Sequence, residues 1–136
     1  QKANIRRIIM EVKKDLFYTK DHEWLKVDGE EAYIGLCDYA QEHLGEIVYV
    51  ELPDEDDEFE AGDSVAAIES TKAASDLFAP VAGTVVEVNE ELEDAPEMLN
   101  EKPYDAWICK IKMENADDVN ELMSAADYEK FLQEEA

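Results

Sequence analysis

Glu69-Ser70-Thr71-Lys72-Ala73-Ala74-Ser75-Asp76 stands between two short apolar runs, residues 65–68 and 83–88. Val, Ala and Ile bounded by glycine-containing turns read as strands, so the spacing predicts a strand, a tight turn holding Lys72, and a strand. Ala61-Gly62-Asp63-Ser64-Val65 and Ala82-Gly83-Thr84-Val85-Val86 each set a glycine ahead of a strand and hint at two related halves around the lysine. Lys72 is also solitary. It is the single cation from Val27 through Glu101, a stretch containing the acidic run Asp54, Glu55, Asp56, Asp57, Glu58 and Glu60. Such a lysine is an ordinary surface residue unless its position gives it chemistry.

Working outward, Asp28-Gly29 between residues 24–27 and 32–36 predicts a β-hairpin, because Asp-Gly tolerates the positive φ of tight turns. Asp38 is placed as the N-cap of a short helix near 38–44, with Gly45 as its stop. Residues 46–52 favour a strand ended by Pro53, and 54–60 a solvated loop. Residues 106–113 alternate, with Trp107, Cys109 and Ile111 set against Ile108, Lys110 and Lys112. Residues 117–135 carry helical spacing that Ser124 divides, leaving 125–133 as a second helix. The fold class is mainly β, a sandwich or barrel with helical additions.

The chain has 136 residues and a formal net charge of −24, a length that fits one domain and a balance that argues against nucleic acid and anionic membrane surfaces. Seven of the twelve cations fall within residues 1–26. Apolar runs are far too short to span a bilayer, so a soluble domain is expected. Residues 1–9 lack acids and precede Met10-Glu11-Val12; they are set aside as a cloning remnant or the end of a targeting segment, leaving 10–136 as a single domain with a C-terminal helical extension. Cys37 and Cys109 make no disulfide scaffold, and with His22 and His43 they show no zinc-like spacing. They read as buried thiols, with no metal site expected.

Three chemistries compete for Lys72: Schiff-base catalysis, covalent cofactor attachment, or none. Schiff-base lysines need desolvation or a neighbouring cation, and the near neighbours here are the acids Glu69 and Asp76. A lysine at a hairpin tip is, however, well placed for acylation by a second protein. The run from Glu69 to Asp76, with Ala79-Pro80-Val81-Ala82-Gly83 and Glu87-Val88-Asn89, resembles the lipoyl-attachment region of the glycine cleavage system H protein family. So do His22-Glu23-Trp24, Ala40-Gln41-Glu42-His43-Leu44-Gly45 and Val48-Tyr49-Val50-Glu51-Leu52-Pro53, in the right order. Biotin carriers flank their lysine with methionines, whereas Lys72 has Thr71 and Ala73.

The resemblance implies a barrel-sandwich hybrid with lipoate joined by an amide to Lys72, and a carrier that is not itself an enzyme. It implies passage of an aminomethyl group from glycine decarboxylase (P protein) to the aminomethyltransferase (T protein), and of electrons to dihydrolipoyl dehydrogenase (L protein). A lipoate ligase or lipoyl transferase would attach the group, recognising the lysine through Glu69. Glu23 and Asp76 match positions lining the cleft that shelters the aminomethyl-bearing arm; otherwise they are turn residues in solvent. A monomer is expected, cytoplasmic in a bacterium and in the mitochondrial matrix in a eukaryote. Tyr39 departs from the family's usual histidine, and a phenol is no base near neutral pH. Ala106 replaces a usual glycine, and His43 is read as structural. The competing functions are an H-like lipoate relay or storage protein outside glycine oxidation, and an acidic adaptor without a cofactor.

Overall fold

The computed structural model describes residues 11–135, so the expectation for residues 1–9 falls outside the described residues. Strands β1 (Phe17–Tyr18), β2 (Glu23–Asp28) and β3 (Glu31–Leu36) pair antiparallel in that order. Asp28 faces Glu31, so the hairpin loop is Gly29-Glu30, with Gly29 at φ +68° in the first loop position where a type II′ turn requires it. The first half of β2 is buried on both faces. Leu25 enters the main core, while Trp24 lies across its cross-strand partner Gly35, whose added Cβ would meet the indole at 2.3 Å.

Helix α1 (Asp38–Leu44) ends at Gly45, φ +82°. Its N-cap is Cys37, not Asp38, which begins the helix and accepts from the Gln41 side chain. Strand β4 (Ile47–Glu51) follows, and within the acidic run Glu58–Phe59 forms a two-residue strand, β5, rather than loop throughout. Strand β6 (Ser64–Ser70) leads to Lys72. The return strand is not the expected 83–88 segment but β7 (Ala74–Phe78), a stretch whose Ala, Ser and Asp carry little intrinsic strand preference. Strand β8 (Gly83–Val88) belongs to the other sheet. The glycines of the two similar phrases also differ: Gly62 takes φ +90°, whereas Gly83 lets the β9 backbone approach, a Cβ there falling 2.6 Å from the Lys112 carbonyl.

Two short helices, α2 (Glu91–Asp94) and α3 (Met98–Glu101), precede β9 (Cys109–Met113). Cys109 and Ile111 point inward as the alternation requires, but Ile108 is also fully buried and donates its N–H to Ile34 at 2.7 Å. A 3-10 turn (Ala116–Glu121) then gives way at Ser124 to helix α4 (Ala125–Glu135), the serine Oγ accepting the Asp127 amide as the predicted break implies.

The sheets run β1-β2-β3-β9-β8-β5 and β4-β6-β7, enclosing one core around Ile34, Ile68, Leu77, Val85 and Ile111. This is the barrel-sandwich hybrid. A second cluster joins Tyr18, Trp24 and Cys37 to Tyr128 of α4, the Tyr18 and Tyr128 rings stacking at 4.4 Å. Among the described residues no helix is long and apolar enough to cross a membrane.

Candidate functional site

The β6–β7 hairpin turns on two residues, Thr71 and Lys72, neither with positive φ. Tight hairpins usually favour primed turns, so this tip needs other support. Ser70 provides it: its Oγ accepts the amides of Lys72 (3.3 Å) and Ala73 (3.0 Å), and its own amide donates to the Ala73 carbonyl at 2.8 Å. Thr71 donates to the Glu46 carbonyl at 2.9 Å, tying the tip to the segment between α1 and β4. The Lys72 stem passes over Gly45, where an added Cβ would stand 3.3 Å from Cε. Lys72 is exposed, and among the described residues no carboxylate pairs with it. An open, unpaired amine on a braced tip suits an amide-linked group.

The acids divide. Cross-strand pairs Tyr49 with Glu69, Glu51 with Ala67, Ala67 with Asp76 and Glu69 with Ala74 share the outward face of the three-stranded sheet. Glu51, Glu69 and Asp76 are exposed there, Glu69 and Asp76 as diagonal neighbours at about 7 Å. Tyr49 is 49% exposed beside them. Glu23 is different, only 2% exposed, with Oε2 accepting the Phe78 amide at 2.7 Å and Oε1 the Thr19 hydroxyl at 2.8 Å. It straps the edge of β7 to β2. Burial pushes its carboxyl up to about 7, with the Phe78 and Thr19 hydrogen bonds opposing. Neither Glu23 nor Asp76 is a turn residue: both lie in strands, and the β7 amide that Glu23 accepts, that of Phe78, is two residues along the strand from Asp76.

His22, just before Glu23, takes the left-handed φ of +67°, a strained conformation fixed by the Cys37 amide on its carbonyl at 2.9 Å. Its ring bonds Tyr128 Oη at 2.8 Å and packs on Tyr39, which stacks in turn on His43. Tyr39 thus sits between two imidazoles. His43 bonds the Tyr39 carbonyl at 3.0 Å. Ala106 is buried in the core. Cys37 and Cys109 lie in different core clusters, and burial holds both thiols protonated, Cys109 up to about 12. Among the described residues no group of His, Cys, Asp or Glu is arranged for a metal ion. The sequence reading missed Ser70 as the brace of the tip, although Ser at the first position of a β-turn is a usable signal. It also missed Thr19 and the strained His22, for which there was no such signal.

A barrel-sandwich hybrid presenting one lysine on an exposed, braced hairpin is a carrier domain of the lipoyl and biotinyl type. The family model for the glycine cleavage H-protein matches residues 16–135. The glycine cleavage system H protein of Syntrophomonas wolfei is 52% identical over 126 residues, covering 93% of this chain and 97% of that one. That of Carboxydothermus hydrogenoformans is 54% identical over 125 residues, covering 91% and 96%. A solved glycine cleavage system H protein from Mycobacterium marinum superposes with a TM-score of 0.80 at 33% identity, covering 91% of this chain and 98% of its own. The chain belongs to the glycine cleavage H-protein family, the lipoyl carriers of the glycine cleavage system.

Proposed function

We propose that Lys72 carries the lipoyl group, as an amide on Nζ, and that residues 10–136 act as one carrier domain without catalytic activity of its own. The observation that carries this is the tip itself: a single exposed lysine whose amide is held by Ser70 and whose neighbour Thr71 is anchored on the Glu46 carbonyl, while no carboxylate among the described residues pairs with its amine. When bound, lipoate supplies a ring disulfide that takes up the aminomethyl cargo and returns as a dithiol. The chain's part is to present that arm at high local concentration to its partners. Those partners are glycine decarboxylase, the aminomethyltransferase and dihydrolipoyl dehydrogenase, met in the cytoplasm of a bacterium, with a lipoate ligase or lipoyl transferase acting first. Glu69, exposed three residues before Lys72, marks the lysine for that enzyme. Asp76 offers a carboxylate to the cationic amine of the cargo, and Glu23 lends negative charge from beneath the same strand.

The test is lipoylation of the purified chain by a lipoate ligase, followed by intact mass and peptide mapping. One lipoyl group on the Lys72 peptide of the wild type, and none on Lys72→Arg, is expected, since a guanidinium keeps the charge but is not acylated. Lipoate on another lysine, or none at Lys72, would sink the assignment.

A further inference from the structure

Asn100, on α3, has side-chain partners 53 to 59 residues away in sequence. Its Oδ1 accepts the Ile47 amide at 2.9 Å, and its Nδ2 donates to the Gly45 carbonyl at 2.8 Å and to Gln41 Oε1 at 3.0 Å. Gly45 and Ile47 bracket Glu46. The Ile47 N–H and the Glu46 C=O belong to one planar peptide, so fixing the first orients the second. That carbonyl is the acceptor for the Thr71 amide, one residue before Lys72. A continuous line therefore runs from Asn100 Oδ1 through the 46–47 peptide to the lysine turn. A second bond, from Nδ2, holds Gly45, over which the Lys72 stem passes.

We propose that Asn100 is a positioning residue for Lys72: it fixes the peptide that anchors the hairpin tip, and so holds the attachment lysine in the pose an acylating enzyme meets. The alternative is a plain brace between α1 and α3. Gln41 separates the two, because it shares the brace but touches neither Glu46 nor Thr71 through its own side-chain bonds.

Amide hydrogen exchange on the full chain is the primary measurement. Asn100→Ala should speed exchange at Thr71 about tenfold, the factor that accompanies one lost hydrogen bond, with Ile34 and Ile111 changing less than about threefold. Gln41→Ala should leave Thr71 within that narrower range. The second readout rests on Lys72 being the acylated residue. Ligase kinetics on Asn100→Ala should show KM for the carrier raised several-fold with kcat unchanged, because a mobile tip lowers the population competent to dock. Unaltered Thr71 protection in folded Asn100→Ala, or equal loss in both variants, would overturn the proposal. Should Asn100→Ala not fold, Asn100→Ser, also too short to reach Ile47, carries the same expectations. A loosened Thr71 in a chain no ligase modifies would support the positioning role while refuting the attachment reading.

Discussion

Glu23 is held where an ionised carboxylate costs stability. Its folded pKa of about 7 exceeds its ordinary 4.5, so between these values the folded chain keeps a proton that the unfolded chain releases. Stability from this group is therefore complete below about pH 4.5, falls as pH rises toward 7, and is level above; the full shift corresponds to up to about 3 kcal/mol. Glu23→Gln keeps an acceptor for the Phe78 amide and cannot ionise. It should match the wild type near pH 4 and unfold at a higher urea midpoint near pH 8, whereas an equal gap at both pH values would show that ionisation is not the source. If the amide proves the more stable, the acid is kept for its charge. Asp76→Asn should shorten the lifetime of the cargo-bearing carrier by about tenfold, as befits one lost charge-assisted hydrogen bond, and Glu23→Gln by a smaller factor, since both Glu23 oxygens are held by Phe78 and Thr19 and it acts on the cargo by charge alone. Half-lives near neutral pH check this, and equal values would return both residues to purely structural roles. Glu23 and Asp76 were visible in the sequence only as matched motif positions; the strap from Glu23 to Phe78 was not, because it joins residues 55 apart.

The hairpins show how far local chemistry reaches. β2–β3, α1 and β4 were legible because their signals are contiguous: a Gly turn, a Gly stop, a run of Ile, Val and Tyr ended by Pro53. β7 was not, since Ala74-Ser75-Asp76 becomes a strand only by pairing with β6 and by the loan of Glu23 to the Phe78 amide, which closes part of an exposed edge. β5 and α3 were hidden for the same reason, and with α3 went Asn100. The β2–β3 pair offers a direct test of tertiary fit. A Cβ at Gly35 would collide with the Trp24 indole at 2.3 Å and push it from the bond its Nε1 donates to the Pro103 carbonyl at 3.0 Å. Gly35→Ala should destabilise the fold by about 2–3 kcal/mol in denaturant titration, as overpacking does. A loss within about 0.5 kcal/mol, the range of surface changes, would mean that the indole swings aside freely.

Across the whole molecule the charge is arranged about the β6–β7 hairpin, and its two ends act at different ranges. Glu51, Glu69 and Asp76 share the outward sheet face that leads to Lys72. The 54–60 run lies toward the opposite end, where Gly62 and Asp63 bond the backbone of Ala79. Six steps along β6 separate Ser64 from Ser70, about 20 Å at the usual strand rise. The Debye length is about 30 Å at 0.01 M salt and about 8 Å at 0.15 M, so the run is felt at the lysine end only in dilute salt. Neutralising the run (Asp54→Asn, Asp56→Asn, Asp57→Asn, Glu58→Gln) should slow association with a basic-rimmed partner at 0.01 M and leave it nearly unchanged at 0.15 M. Glu69→Gln with Asp76→Asn should slow it at both, and in each case the effect should fall on association more than dissociation, because steering charges act before contact. Stopped-flow association of the lipoylated chain with glycine decarboxylase separates the two sets. If the run variant lost as much rate at 0.15 M as the double variant, contact with the partner would have to extend to the far end of the hairpin, and the docking face would be the length of the sheet rather than its tip.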